Sequence, residues 1–138
     1  RITWHSIPND SAWMRDNGPR YVVRDGQMTI QDWGFDGWGG AFGDFSTAQD
    51  DAVPAAVADY LGLPVEDIEL VHERGDLEFN GQGAVLLHWS VTGDPNRNPG
   101  LTQDAAVAAM QASFGVDTVV LLEGQPEGHE DVEDGVAR

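Results

Sequence analysis

The stretch RYVVRDGQMTIQDW, residues 20–33, consists of two runs of strand-forming residues joined by Asp25-Gly26. An Asp-Gly pair between two such runs is typical of a tight β-hairpin turn. These residues therefore predict a strand, a turn and a second strand. The pattern recurs in DLEFNGQGAVLLHW, residues 76–89, where Asn80-Gly81 occupies the turn.

A helix and a further strand are predicted after each hairpin. The helices cover residues 51–61 and 102–114, and the strands cover residues 67–73 and 117–123. The helix ends carry start and stop signals: Pro54, Gly62 and Pro64 for the first, Thr102 and Gly115 for the second. Helical spacing predicts the apolar faces: Val53, Val57, Tyr60 and Leu61, then Val107, Met110 and Phe114. The chain is therefore an α/β protein with two ββαβ units and the start of a third, and further units are expected because two bury little surface.

Composition limits the partners of the chain. Its 138 residues include 24 Asp and Glu against seven basic residues, all Arg, which gives a net charge of −17. This charge repels nucleic acid and anionic membranes, so neither is an expected partner. A salt-adapted surface is the main explanation for the acidic excess, and a small cationic ligand is compatible with it. The first ten residues have no apolar segment of a secretory signal, and we expect a cytoplasmic protein.

Acidic residues precede the two hairpins at matching positions. Asp16 lies before the first hairpin and Glu73 lies before the second, one repeat later. A third unit should open in GHEDVEDGVAR, residues 128–138, which contains His129 and Asp131. If the units are arranged radially, these residues converge on a common axis.

Five short motifs follow one another along the chain. They are WMRDNGP (13–19), WGFDGWGG (33–40), ERGDLEFNGQG (73–83), NRNPGLT (96–102) and GHED (128–131). Each motif is weak alone, but the ordered set closely resembles the agmatine deiminases and bacterial-type peptidyl-arginine deiminases of the guanidino-modifying, or pentein, superfamily. The resemblance covers nearly the whole chain and implies an α/β propeller with five ββαβ units around a central active site. The units of this chain are then expected at approximately 13–72, 73–123 and 124–138, the last being the start of the third.

The resemblance implies a hydrolase that acts on the C–N bonds of linear amidines. In that chemistry a cysteine thiolate attacks the guanidinium carbon, ammonia leaves, and water releases a carbamoyl product from a covalent thiouronium intermediate. The implied substrate is agmatine, used in putrescine and polyamine biosynthesis, while arginine and peptidyl-arginine remain open. No cofactor and no metal are implied, and the implied partner is the small cationic guanidino substrate.

The resemblance also implies a role for each motif residue that carries chemistry. Asp16 and Asp131 bind the guanidinium, because carboxylates pair bidentately with its planar donors. His129 is the general acid and base, and Glu73 orients its ring.

The tryptophans of the motifs are expected in the core and in the pocket wall, because Trp is usually largely buried. Trp13 and Trp38 are the candidates for contact with the substrate, and Trp33 is expected in the core. The remaining histidines have no motif partner and are expected to be structural: His5, His72 and His88.

The two carboxylates of the first motifs each allow a second interpretation. Asp16 could form a loop ion pair with Arg15 instead of binding substrate. Arg74 stands where the family has glycine, and glycine permits backbone conformations and close approaches that a side chain resists. Arg74 could also pair with Glu73 and make it less available.

The last motif and the class of protein also allow more than one interpretation. Counted backward from DGVAR, residues 134–138, the family's histidine position holds Val132 rather than His129, and a deletion of the histidine also remains open. A pentein that binds a cationic ligand without turnover is a second class. A metal site is a third, with four candidate ligands: His72, Glu73, His129 and Asp131.

The chain has neither an initial Met nor a cysteine. We therefore expect an interior fragment of a longer enzyme, with the nucleophilic cysteine beyond Arg138. The 138 residues alone are expected to release no ammonia from agmatine. The oligomeric state is left open.

Overall fold

The computed structural model of the protein describes residues 2–43 and 46–123. The GHED motif with His129 and Asp131, and the predicted third unit, lie outside the described residues. The described part forms two three-stranded sheets with helices between their strands. No helix in this part is long and apolar enough to cross a membrane.

The first sheet contains the first predicted hairpin and the strand that follows it. The elements are α1 (Met14–Asn17), β1 (Arg20–Arg24), β2 (Gln27–Gly34), α2 (Ala48–Asp51), α3 (Val53–Leu61) and β3 (Val65–Val71). Strand β2 lies in the middle, antiparallel to β1 and parallel to β3. Asp25 and Gly26 have φ angles of 50° and 81°. Positive φ at both residues is what a type I′ hairpin turn requires, so the predicted turn is confirmed.

The second sheet repeats this order. Its elements are a single 3₁₀ turn (Arg74–Asp76), β4 (Glu78–Phe79), β5 (Ala84–His88), α4 (Trp89–Thr92), α5 (Gln103–Phe114) and β6 (Thr118–Leu122). Strand β5 is antiparallel to β4 and parallel to β6. The turn between β4 and β5 is held by Asn80 Oδ1, which accepts hydrogen bonds from Gln82 N at 2.8 Å and Ala84 N at 3.0 Å. The two predicted ββαβ units are therefore confirmed.

One hydrophobic core lies between the two units. Its buried members come from both units: Trp33, Leu77, Val85, Leu87, Met110 and Val116. Trp33 of β2 stacks on Phe114 of α5, with ring centroids 5.5 Å apart and an interplanar angle of 5°. Each unit thus covers apolar surface that the other would expose, which is how repeated units stabilise one another.

The prediction for the first helix is right in position and wrong in detail. The helical segment begins before residue 51 and is interrupted at Ala52, and Pro54 lies in the first turn of α3. The apolar face prediction fails at Tyr60 and Leu61, which are 49 % and 47 % exposed. The buried residues of α3 are in its first two turns, so the last turn lies at the surface, where the Tyr60 ring contacts His5.

Strand β3 begins and ends two residues earlier than predicted. Its start is determined by β2, because Ile30 N donates a hydrogen bond to Pro64 O at 3.0 Å and Ile30 is paired with Val65. The pairing shifts register between Trp33 and Gly34. His72 and Glu73 therefore leave the strand, and Glu73 immediately precedes the 3₁₀ turn.

Helix α5 has the predicted ends. Thr102 Oγ1 accepts a hydrogen bond from Ala105 N at 3.2 Å, and Gly115 closes the helix with a left-handed φ of 64°. Both are standard ways to satisfy backbone groups at helix ends.

We predict that Thr102→Ala lowers the free energy of unfolding of the full-length protein by about 1 kcal/mol, because Ala105 N–H loses its acceptor. Thr47→Ala is the matched control, since Thr47 precedes α2 without a side-chain cap hydrogen bond. The control should stay within about 0.5 kcal/mol of the wild type in urea denaturation. Equal losses in the two variants would contradict a capping role for Thr102.

Candidate active site

Asp16 lies in α1, directly before the first hairpin, with 8 % of its surface exposed. Burial raises the pKa of its carboxyl group above the ordinary value. Hydrogen bonds from the Trp38 side chain and the Gly75 backbone, and the charges of Arg15 and Arg74, act in the opposite direction. A β-carbon on Gly75 would lie 2.4 Å from Asp16 Oδ1, so this approach requires glycine. Within the described residues Asp16 has no ion pair with Arg15, and that interpretation is wrong.

The WGFDGWGG motif forms a loop that packs beside Asp16. Asp36 Oδ1 accepts a hydrogen bond from Gly39 N at 2.8 Å. Trp38 has a φ of 62°, a conformation that non-glycine residues rarely adopt. Gly39 has a φ of 68°, and a β-carbon there would lie 2.7 Å from Asp94 Oδ2 and 2.9 Å from Arg97 Nη1. Positive φ and close approach together explain why the residue after the tryptophan is glycine.

Glu73 is completely buried and forms an ion pair with Arg97. Arg97 Nε donates to Glu73 Oε1 at 2.8 Å, and Arg97 Nη1 donates to Asp94 Oδ2. Burial raises the pKa of Glu73, Arg97 lowers it through its charge and hydrogen bond, and the charge of Asp36 raises it further. Glu73 Oε2 has no hydrogen-bond partner within the described part of the chain. Glu73 thus has one paired oxygen and one open oxygen.

Arg74 does not pair with Glu73, which corrects the second interpretation of that carboxylate. Its guanidinium instead donates hydrogen bonds to three backbone carbonyls in α1 and in the segment that follows it. Nε donates to Arg15 O at 3.0 Å, Nη1 to Pro19 O at 3.1 Å, and Nη2 to Met14 O at 3.4 Å. Adjacent residues Glu73 and Arg74 therefore contact different segments.

Arg20 is a buried cation close to both candidate carboxylates. Its Cζ atom lies 4.7 Å from the centroid of the Trp33 ring, and only 6 % of the residue is exposed. Burial and the charge of Arg74 lower the pKa of Arg20 to about 9, whereas the charges of Glu73 and Asp16 raise it. Arg20 therefore adds a positive charge that interacts with the acidic residues of both units.

His72 and His88 contact the same carboxylate, that of Asp76. His72 Nε2 lies 3.4 Å from Asp76 Oδ2, and His88 Nδ1 lies 2.7 Å from Asp76 Oδ1. Burial lowers the pKa of His72, while Asp76 acts in the opposite direction. Within residues 2–43 and 46–123, no group of three or more His, Cys, Asp or Glu residues could hold a metal ion.

The tryptophans divide between the core and the surface. Trp33 and Trp38 are 2 % and 7 % exposed, as expected, but Trp13 is 59 % exposed and is not a core residue. Its ring meets the Trp38 ring edge to face, with centroids 6.2 Å apart. Trp13 lies directly before α1, and its contact with Trp38 leaves more than half of its surface exposed.

Four of the five motifs meet at this place, and they bring Asp16, Trp38 and Glu73 into one neighbourhood. Sequence reasoning missed Arg20 and Arg97. Arg97 lies in the NRNPGLT motif, and the other motifs contain acidic residues with which a motif arginine could pair, so its role as an ion-pair partner could have been predicted. Arg20 carried no such signal, because it resembles any polar residue at the start of a strand.

Repeated ββαβ units with a buried acidic residue before successive hairpins define a pentein-type α/β propeller domain. The chain belongs to the family of Porphyromonas-type peptidyl-arginine deiminases, whose family model matches residues 2–136.

Relatives with that fold include proteins named agmatine deiminase. The chain is 35% identical over 134 residues to the agmatine deiminase of Pseudomonas putida strain KT2440, which covers 94% of this chain and 36% of the relative. The agmatine deiminase of Enterococcus faecalis superposes with a TM-score of 0.78 at 30% identity, over 85% of this chain and 33% of that one. A substrate-bound agmatine deiminase of C. jejuni has a TM-score of 0.74 at 25% identity, over 83% of this chain and 34% of that one. The chain therefore spans about a third of the length of these relatives.

We predict that Arg97→Met lowers the free energy of unfolding of the full-length protein by about 3–5 kcal/mol, because the buried Glu73 carboxylate loses its counter-ion. Arg24→Met is the control, since the Arg24–Glu66 pair is about a third exposed on both sides. The control should lose about 1 kcal/mol or less in the same denaturation experiment. Similar losses of unfolding free energy in both variants would show that the buried Glu73–Arg97 pair stabilises the protein no more than the partly exposed Arg24–Glu66 pair.

Proposed function

We propose that the full-length protein is an agmatine deiminase, which hydrolyses the guanidinium group of agmatine to a carbamoyl group and ammonia. The observation that carries this proposal is the Asp16 carboxylate. It is buried, it is held by hydrogen bonds from Trp38 and Gly75, and it has no ion pair among the described residues. A buried carboxylate that lacks a paired cation is suited to a cationic ligand.

Asp16 binds the guanidinium in this proposal and keeps it charged. A thiolate outside these 138 residues adds to the guanidinium carbon, and ammonia leaves after its nitrogen receives a proton. Water then adds to the resulting thiouronium carbon, and the thiolate leaves as the carbamoyl product forms. No oxidant, reductant or metal is needed for the balance of these steps.

His129 carries the proton in both halves of the reaction, and Asp131 is the second carboxylate on the guanidinium. Glu73 orients His129 through its free oxygen Oε2. Support for this role comes from the geometry of Glu73: one oxygen is held by Arg97, while the other has no partner among the described residues. Trp13 and Trp38 form the wall of the substrate pocket.

The proposal extends to the setting of the reaction. We propose a cytoplasmic enzyme of putrescine and polyamine biosynthesis, as the resemblance to agmatine deiminases implies. Ammonia release should be assayed in parallel with agmatine, free arginine and an arginine-containing peptide. Turnover of agmatine alone supports the proposal, whereas turnover of the peptide alone would favour a peptidyl-arginine deiminase. Binding of agmatine without turnover would favour a non-catalytic pentein.

We predict that Asp16→Asn in the full-length protein lowers kcat/KM for agmatine on the order of a thousandfold, because a buried charge-assisted contact with the reacting group is lost. Asp32→Asn is the matched control. Burial raises the pKa of Asp32, as it raises that of Asp16, and two neighbouring carboxylates raise the pKa of Asp32 further. Within the described residues, none of the side chains or backbone groups that act on Asp16 acts on Asp32. The control should keep wild-type kinetics, and near-native activity of Asp16→Asn would refute the assignment.

We also predict that the affinity of the wild-type protein for agmatine falls on acidification, with a midpoint above the ordinary Asp value of 3.8. The sign follows from the raised pKa of Asp16: protonation removes the negative charge that pairs with the substrate, and burial makes it occur at higher pH. Calorimetric titrations over a pH series would measure the midpoint. An affinity that stays constant through this range would contradict the proposal.

A further inference from the structure

Arg74 occupies an unusual place for a partly buried arginine, because its hydrogen bonds within the described residues go to the backbone of one short segment. The three acceptors are the carbonyls of Met14, Arg15 and Pro19. These carbonyls belong to α1 and to the two residues that connect it to β1. One side chain of the second unit therefore fastens the helix that carries Asp16 in the first unit.

Helix α1 needs such a contact because it has little internal support. It is four residues long and has no side-chain cap at its N-terminus. The carbonyls at the end of any helix lack intrahelical partners, and positive charge there is favourable. The backbone closure at its C-terminal end runs from Gly18 N to Met14 O, at 3.1 Å. The Arg74 guanidinium donates to Arg15 O and Pro19 O, and it adds a second, longer contact to Met14 O, which already accepts from Gly18 N.

The residue next to Arg74 also contacts this helix. Gly75 donates a backbone hydrogen bond to the Asp16 carboxylate and approaches Oδ1 so closely that a β-carbon would lie at 2.4 Å. Arg74 thus holds the backbone of α1, and Gly75 holds the carboxylate. Because the two contacts come from consecutive residues, a shift of α1 relative to the 3₁₀ turn would break both.

We propose that Arg74 is a positioning residue that fixes the Asp16 carboxylate for the guanidinium substrate by holding the carbonyls of Met14, Arg15 and Pro19. The inference rests on the proposed function, since it concerns the same carboxylate. Arg74 donates to carbonyls rather than to Asp16, so the carboxylate stays available for a substrate cation. A guanidinium suits this task better than an ammonium, because its planar fork directs several donors at fixed angles.

Two substitutions separate geometry from charge. Arg74→Lys keeps the charge and loses the fork, and Arg74→Gln loses the charge and keeps part of the hydrogen bonding. The matched controls are Arg24→Lys and Arg24→Gln. Arg24 also binds backbone carbonyls, those of Ala112 and Ser113 at the end of α5, together with Glu66.

The first measurement is amide hydrogen exchange in the full-length protein, which does not depend on activity. Both Arg74 variants should increase exchange in the peptide covering residues 13–19 by about tenfold or more, because α1 opens locally. The Arg24 variants should leave this peptide unchanged. Unchanged exchange in the Arg74 variants would overturn the proposal, whether or not the protein acts on agmatine.

The second measurement is steady-state kinetics with agmatine. Both Arg74 variants should lower kcat/KM by about tenfold to a hundredfold, the effect of a small displacement of a binding group. The Arg24 variants should keep wild-type values. Full activity of Arg74→Lys together with loss in Arg74→Gln would show a role for charge alone and would overturn the positioning role. A wild-type protein without activity on agmatine would refute the proposed function, while hydrogen exchange still tests the contact.

Discussion

Glu73 and Arg97 are buried together where the motifs meet, with no exposed surface on Glu73 and 8 % on Arg97. Taking two charges out of water costs several kcal/mol for each ion, and only close, well-directed contacts offset this cost. Two hydrogen bonds meet this requirement. Arg97 Nε donates to one oxygen of Glu73, and Arg97 Nη1 donates to Asp94. A single guanidinium therefore needs two carboxylates from different segments at defined places.

This ion pair constrains the loop that covers it. Gly39 packs so close to Asp94 and Arg97 that no side chain fits, and its amide is held by Asp36. In this loop Trp38 has a positive φ, and its side chain forms a hydrogen bond with Asp16. The loop thus contacts both the Glu73–Arg97 pair, through Gly39, and Asp16, through Trp38. Motifs that look independent along the chain are linked through a few buried polar contacts.

The parts of the fold that were predictable depend on local chemistry. The Asp25-Gly26 turn, the Thr102 cap and the Gly115 stop are each determined by backbone conformations that neighbouring residues decide, and all three are as predicted. The start of β3 was not predictable in this way, because Ile30 of another strand determines it. The exposure of Tyr60 also depends on how far α3 reaches along the sheet. Periodicity identifies an apolar face, but it does not say which turns of a helix are covered.

In the candidate site, too, some features could be predicted from the sequence and others depend on contacts between distant segments. Asp16 and Glu73 could be found because an acidic residue recurs before each hairpin, and the structure places both in buried positions. The contacts of Arg74 could not be predicted, because two adjacent side chains can contact different segments. Which segment each contacts depends on the 3₁₀ turn that begins after Glu73. Charge alone predicts that Arg74 pairs with the nearest carboxylate. In the structure the donors of Arg74 go instead to backbone carbonyls, those of Arg15 in α1 and Pro19 after it.

The position of Arg74 has an electrostatic consequence for the ionisable groups around it. Arg74 adds positive charge beside Asp16 and Arg20, which lowers the pKa of Asp16 and that of Arg20. The positive charge of Arg74 opposes the effect of burial on the Asp16 carboxyl group, but burial is the larger cause and the pKa of Asp16 stays raised. An arginine whose donors are held by backbone carbonyls can therefore stand beside the Asp16 carboxylate without forming an ion pair with it.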